Sequence, residues 1–212
     1  MKLAVVKLGG STASGALMAE WIAALAGSSL PIVIVPGGGP FADQVRSQQE
    51  RIGFSDNAAH AMAILAMDQF GYVILDHHKR LQSARSLDET ERVLKEGKIP
   101  VWLPSSLAIP ERDIPATWDV TSDALAAWLA GKLDADALLL IKQTGDVSER
   151  DDIDSLTAKG IIDASFATML PGGIDVHLAG PEDAATAGAA LSSGKLPGKR
   201  MSRAGKPMKR AG

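Results

Sequence analysis

Two glycine-rich loops carry the first chemistry legible in this chain. Lys7-Leu8-Gly9-Gly10-Ser11 and Pro36-Gly37-Gly38-Gly39-Pro40 each follow an apolar, β-branched run and precede a helical pattern. If both runs are parallel strands, both loops lie at strand C-terminal ends, where open α/β sheets bind their ligands. Glycine lets the backbone turn tightly and lets N–H groups approach an anion. The helix N-terminus that follows adds a favourable dipole. Lys7, at the end of its strand, can set one ammonium among phosphate oxygens. The pair of loops therefore suits a polyanion spread across two strand ends; two ordinary strand–helix turns are the plain alternative. Two further groupings stand downstream. Trp118-Asp119-Val120-Thr121-Ser122-Asp123 opens a helix that Thr121 or Ser122 can cap. Leu139-Leu140-Ile141-Lys142 is an apolar run ending in a lysine, followed by a turn at Gly145-Asp146.

Other motifs can be tested and set aside. The GxxxxGK-[ST] phosphate loop is absent. Gly37 to Ala42 matches the loose GxGxxA dinucleotide pattern, but no acid stands where that fold needs one, since Asn57 to Met62 carries none. Asp151, Asp152 and Asp154 are a candidate acidic metal cluster, yet they lack the glycine and final glutamate of a calcium loop, and a solvated loop is the simpler account. His77 and His78 are adjacent and so point apart; His177 alternates with Val176 and Leu178 in a strand pattern and reads as structural. His60, on an apolar helical stretch, is either a ligand to a phosphate or a half-buried histidine with a backbone partner. Trp21, Trp102 and Trp128 belong to the core by type, whereas Trp118, next to the Thr121–Asp123 motif, is either core or a wall of the pocket.

The elements that must position these residues alternate between strand and helix. Strands are expected at Leu3–Leu8, Pro31–Val35, Tyr72–Leu75, Ile99–Leu103, Ala137–Ile141 and Ile174–Leu178. Helices are expected at Ala16–Ala26, Phe41–Arg51, Asp56–Phe70, Asp88–Lys98, Ser122–Leu133 and Pro181–Ser192. That order predicts an α/β fold, a three-layer αβα sandwich with a mainly parallel central sheet. The apolar strands predict helices on both of its faces.

Composition narrows the classes. The chain has 212 residues, 46% hydrophobic and 22% charged, which suits one domain and excludes wholesale disorder. No cysteine is present, so disulfides and thiolate metal sites are excluded, and a reducing, cytoplasmic setting is the expectation. No continuous apolar run reaches ~18 residues, and the first strand stops at Lys7 and Gly9 rather than continuing as a signal peptide; no membrane partner is expected. The net charge of -3 conceals a split: seven basic residues and no acid in 195–212, against 15 basic and 25 acidic residues before them. The basic segment lacks aromatics and an amphipathic period, so it is expected to be a flexible tail from residue 202 rather than a nucleic-acid arm.

The four groupings in order, KxGGS, GGG, a Thr-x-Asp helix start and a strand ending before a Gly-Asp turn, resemble the amino acid kinase superfamily over roughly residues 1–200. Within it, His60–Gly71, Val101–Pro104, Pro115–Asp123 and Ile162–Phe166 are most similar to the branch that phosphorylates an aminomethyl-furanylmethyl phosphate in methanofuran or methylofuran biosynthesis. The resemblance implies a domain over 1–201, ATP as phosphoryl donor with Mg²⁺ on its oxygens, a small-molecule phosphate monoester as acceptor, and a homo-oligomer. It implies catalytic roles for Lys7, Asp123 and Lys142, and ATP contacts from Gly9, Gly10, Ser11, Gly145 and Asp146. It implies acceptor contacts from Gly37, Gly38, Gly39, His60, Trp118, Thr121 and Ser122. The chain departs from the family pattern in residues 161–173, which hold no lysine where many members carry one, and at Gly198-Lys199-Arg200-Met201. A kinase of amino acids or nucleoside monophosphates, or a noncatalytic nucleotide- or oxyanion-binding protein on the same fold, stays open on the same residues.

Overall fold

The computed structural model describes residues 2–10, 15–148 and 150–202. Seven strands form one sheet in the order β3-β4-β2-β1-β5-β6-β7. They are β1 (Ala4–Leu8), β2 (Ile32–Pro36), β3 (Leu81–Ala84), β4 (Ile99–Trp102), β5 (Ala137–Ile141), β6 (Asp175–Ala179) and β7 (Lys199–Met201). All pairings are parallel except β6 with β7. The expected three-layer sandwich is therefore present.

β1 is the pivot. It is flanked by β2 in register Leu8↔Pro36 and by β5 in register Leu8↔Ile141. The chain builds outward from β1 on one side, then returns to start β5 on the other. That reversal opens a crevice at the strand C-terminal ends, the place where doubly wound sheets hold ligands.

The period-2 alternation of β1 and β2 divides the core. Val5, Val33 and Val35 face one side, packed with α6 (Ser122–Lys132) and Ile64 and Met67 of α3 (Asp56–Asp76). Ala4, Val6, Ile32 and Ile34 face the other, packed with α1 (Ala16–Ala26), α9 (Ala184–Ser192) and the end of α3. Strands buried on both faces need no polar alternation, which is why they read as continuous apolar runs. The remaining helices are α2 (Gly39–Ile52), α4 (Leu87–Lys95), α5 (Ser105–Ala108), α7 (Ile153–Ala158) and α8 (Phe166–Met169).

Three expectations need correction. Tyr72–Leu75 is not a strand but the last turns of α3. Its residues are β-prone, yet burial runs at helical spacing: Met67, Phe70, Gly71 and Ile74 are buried while Tyr72 and Val73 are exposed. Gly71 lets α3 press onto the sheet, since a Cβ there would lie 2.5 Å from Leu103 Cδ2. Second, Ile174–Leu178 is not the last strand, because β7 follows in the basic segment, just before residue 202. β7 pairs antiparallel with β6 at the sheet edge, and Lys199 Nζ donates to the Ser148 carbonyl at 2.7 Å. Three residues, two of them charged, give almost no hydropathy signal, which is usual for an edge strand. Third, the apolar patterns of Asn57–Phe70 and Ser122–Leu133 each suggest a helix on which subunits could pair, but the second, α6, is buried along nearly all of Ser122 to Ala130 and offers no such face.

At its true length α3 is apolar enough to cross a membrane by composition, with a mean hydropathy of 1.4 over its best window. Its buried face packs on the sheet, the behaviour of a core helix. Ser11, and Arg203, Lys206, Lys209 and Arg210 of the expected tail, lie outside the described residues.

Candidate active site

The strand register places Lys7 one residue before the end of β1, on the face that α6 covers. Lys142 follows the last residue of the neighbouring β5. Asp123 stands in the first turn of α6. The three meet. Lys7 Nζ lies 2.9 Å from Asp123 Oδ1, and Lys142 Nζ donates to Asp123 Oδ2. Lys7 and Asp123 are almost wholly buried, at 5% and 1% exposure.

The electrostatics follow from that geometry. Burial by itself raises the Asp123 carboxyl, but the two ammonium groups outweigh it and hold the carboxyl at about 2. Lys142 is lowered to about 8, first by burial and then by the like charge of Lys7, with Asp123 opposing both. Two cations share one anion, so the cluster keeps one positive charge unbalanced by the carboxylate between them.

Thr121 caps α6, its hydroxyl accepting from the Asp123 N–H at 3.4 Å. A residue absent from the expected site, Asp163, fixes this turn from outside. Its Oδ2 accepts from the Thr121 N–H at 3.1 Å, the Thr121 hydroxyl at 2.7 Å and the Ala124 N–H at 3.0 Å. Burial, followed by the neighbouring charge of Asp123, pushes the Asp163 carboxyl up despite these donors. Asp163 lies in the stretch where the family resemblance leads one to look for a lysine. Here that stretch supplies a clamp on the α6 N-terminus, and Lys142 supplies the second cation beside Lys7.

The two glycine loops touch. A Cβ on Gly37 would lie 2.2 Å from Gly10 N, and one on Gly10 would lie 2.4 Å from Gly39 N. Only glycine permits this approach of backbone to backbone. Gly9, Gly10, Gly37, Gly38 and Gly39 thus form one floor beside Lys7.

A cavity of about 90 Å³ opens on the α2 side of that floor. It brings together Gly38, His60, Trp118, Thr121 and Ser122, as the sequence leads one to expect, and adds Arg46. The Arg46 guanidinium lies 4.5 Å from the centre of the Trp118 ring, and Trp118 Nε1 donates to Gln49 Oε1 at 2.7 Å. Trp118 is a wall of this cavity, half-buried, and not a core residue. Arg46 was legible in principle: Gly38, Ala42 and Arg46 recur at intervals of four, the spacing of one helix face.

A second cleft, of about 260 Å³, lies beyond Lys142 along the same sheet edge. Thr144, Val147, Gly180, Asp183, Gly198 and Lys199 line it. Gly145 and Asp146 sit in the exposed turn between Thr144 and Val147 and are not part of its wall. Gly198 closes the floor in a left-handed conformation (φ 76°), where a Cβ would lie 2.2 Å from the Leu178 carbonyl oxygen.

The remaining candidates fall elsewhere. Asp151 pairs with Lys159 at 2.7 Å, and Asp152 caps α7 in a capping box. Among the described residues no group of three acids, histidines or cysteines could hold a metal ion. Trp21 and Trp102 are fully buried, and Trp102 stacks on Trp128 with ring centres 6.1 Å apart. His78 Nδ1 accepts from the Arg80 N–H, a turn contact.

Comparison with known proteins agrees with the fold. Residues 2–84 match the model of the amino acid kinase family. The chain is 28% identical over 119 residues to the [5-(aminomethyl)furan-3-yl]methyl phosphate kinase of Methanocaldococcus jannaschii; the match spans 56% of this chain and only 55% of that relative. In fold, the chain is similar to the uridylate kinase of Archaeoglobus fulgidus, with a TM-score of 0.67 at 18% identity over 95% of this chain and 100% of that one. It is similar to the UMP kinase of Bacillus anthracis, with a TM-score of 0.63 at 15% identity over 94% and 95% of the two chains. The UMP kinase of Ureaplasma parvum gives 0.59 at 14% identity over 84% and 88%. Residues 2–84 thus match the amino acid kinase family in sequence, and the described residues as a whole have an amino acid kinase-like fold.

Proposed function

We propose that this chain is an ATP-dependent kinase whose acceptor is the phosphate group of a small, ring-bearing monoester, an (aminomethyl)furanylmethyl phosphate being the first candidate. The observation that carries the reading is the Lys7–Asp123–Lys142 cluster, set at the sheet pivot between two clefts. Phosphoryl transfer needs positioning and charge neutralisation more than covalent chemistry. An acceptor that is itself a phosphate adds repulsion against the γ-phosphoryl group. Two cations and the apposed glycine loops are suited to offset that repulsion.

In this account ATP enters the Thr144–Lys199 cleft and runs its phosphates over Gly9 and Gly10. The acceptor enters the cavity by Trp118, its phosphate directed to Gly37–Gly39 and Lys7. An acceptor oxygen attacks Pγ in line; its bond to phosphorus forms as the bond to the ADP oxygen breaks, giving ADP and a diphosphate ester. A phosphate monoester is largely a dianion at pH 7, its second pKa being ~6, so no general base is required. Asp123 is not free to act as one, being held between two lysines. Mg²⁺ would ride on the ATP oxygens and water, supplying further neutralising charge, because Asp123 is committed to the lysines and no acidic cage is present among the described residues.

The nucleoside monophosphate alternative is favoured by the fold neighbours, which are uridylate kinases. The match in sequence favours the furanyl phosphate instead, since the relative that shares 119 aligned residues is a [5-(aminomethyl)furan-3-yl]methyl phosphate kinase. For assembly, α3 offers an exposed apolar stripe, Met62, Leu65, Tyr72 and Val73, on which two copies could pair. The test is ADP release on mixing with Mg-ATP and a panel containing the furanyl phosphate, UMP and amino acids. Turnover confined to the furanyl phosphate supports the proposal. Turnover with UMP or an amino acid alone, or ATP binding with no turnover at all, overturns it.

A further inference from the structure

His60 presents an atom that the proposed reaction does not use. His60, on α3 one turn before Ile64, lines the acceptor cavity, and its Nε2 is buried at that wall without a hydrogen-bond partner. The Thr117 backbone lies within hydrogen-bonding reach of the ring. Since Nε2 has no partner, that contact is assigned to Nδ1, whose proton then leaves Nε2 with a bare lone pair. Burial lowers the imidazole's proton affinity further, against the Thr117 contact, so the ring is neutral near pH 7.

A bare lone pair repels an anionic oxygen and accepts from an N–H or O–H group. Around it the cavity is mostly apolar, with Ile64, Met67, Val120 and Leu125, and no acid lines it. Its cation, Arg46, is placed over the Trp118 ring. On the kinase reading above, the phosphate of the acceptor is drawn to the cationic, glycine-floored end of the site. We infer that His60 Nε2 receives a hydrogen bond from an amine or hydroxyl on the acceptor's ring substituent, and so selects ring phosphates that bear such a donor. This gives His60 a partner other than the acceptor phosphate. The inference rests on the proposed acceptor class and adds its specificity determinant.

An analogue lacking the donor leaves a buried acceptor atom unpaired, which is where binding sites discriminate most strongly. The test compares two furanylmethyl phosphates that differ only in the aminomethyl group. Affinity is measured by calorimetry and KM by ADP release. Wild type is expected to bind the amine-bearing compound roughly 10- to 100-fold more tightly. His60→Leu should bind both compounds alike, at the level of the amine-free one, with KM for ATP unchanged. His60→Gln, which retains an acceptor oxygen, should recover part of the preference and guards against a folding defect in the leucine variant. Equal affinity of wild type for the two compounds, or undiminished preference in His60→Leu, overturns the inference. Clear preference in binding with no ADP formed overturns the kinase reading alone. Failure of both phosphates to bind overturns both readings.

Discussion

Removing the charge of Asp123 while keeping its shape isolates the central cluster. In Asp123→Asn, Lys7 and Lys142 remain side by side, with Lys7 5% exposed and no anion between them. Breaking a buried ion pair by removing one partner costs ~3–5 kcal/mol, because the other charge stays desolvated. For a chain of this size ~1 kcal/mol is worth ~2–4 °C, so the melting temperature should fall by roughly 6–20 °C at pH 7. Lys142 provides partial relief. It already sits at about 8, against an ordinary 10.5, and loses its carboxylate partner in the variant, so its pKa falls further. A lysine lowered in the folded state binds fewer protons there than when unfolded, so stability rises with pH across that interval. The deficit relative to wild type should therefore narrow as pH rises from ~6 to ~8, where the variant has shed the Lys142 proton and wild type has not. Asp123→Asn/Lys142→Met should regain much of the stability by deleting one unpaired charge, yet stay inactive. Thermal melts of the three proteins at several pH values, read with ADP release, decide the matter. An unchanged melting temperature in Asp123→Asn, or a deficit that widens with pH, would refute the reasoning.

Lys7→Ala should lower turnover by roughly 100-fold or more with the fold retained, as for loss of one preorganised charge donor; steady-state kinetics and circular dichroism check both halves. The log of kcat/KM should decline above about 8, as the free protein loses the Lys142 proton, and Lys142→Met should have low activity without that decline. On the acid side, Asp123 is lowered to about 2 from 3.8, so its stabilising contribution is complete above ~4 and is lost as pH falls from ~4 to ~2, which acid titration of wild type against Asp123→Asn can follow. Gly37→Ala should abolish activity, since its Cβ would sit 2.2 Å from Gly10 N and the loops must part; a kcat near wild type would show that their contact is dispensable. Leu65→Glu on the exposed stripe of α3 should yield monomers in sedimentation if that face joins two copies; an unchanged sedimentation profile would remove α3 from the interface.

The layout of the fold was largely legible because parallel strands buried on both faces advertise themselves as apolar runs between helices. Lys7, Asp123 and Lys142 were legible as strand-end and helix-start residues, although nothing in their spacing says that they meet. That follows only from β5 returning beside β1. The failures share a cause. Tyr72–Leu75 has strand composition, but its burial period belongs to α3, and β7 has almost no hydropathic pattern. Arg46 was not among the expected site residues, and its contact with the Trp118 ring and its place in the cavity wall come from the fold. Asp163 was noticed for its neighbours, not for its chemistry. Its three donors come from residues about forty positions away, a separation no local pattern encodes.

The central claim is that the γ-phosphoryl of ATP moves to a phosphate oxygen. Phosphorus NMR of a reaction with Mg-ATP and (aminomethyl)furanylmethyl phosphate tests it most directly. The account predicts loss of the acceptor's monoester signal and the appearance of two mutually coupled diphosphate signals, together with ADP, in wild type and not in Lys7→Ala. An acceptor monoester signal that persists unchanged while ATP is consumed, or a product phosphorylated at any atom other than the phosphate, would contradict it.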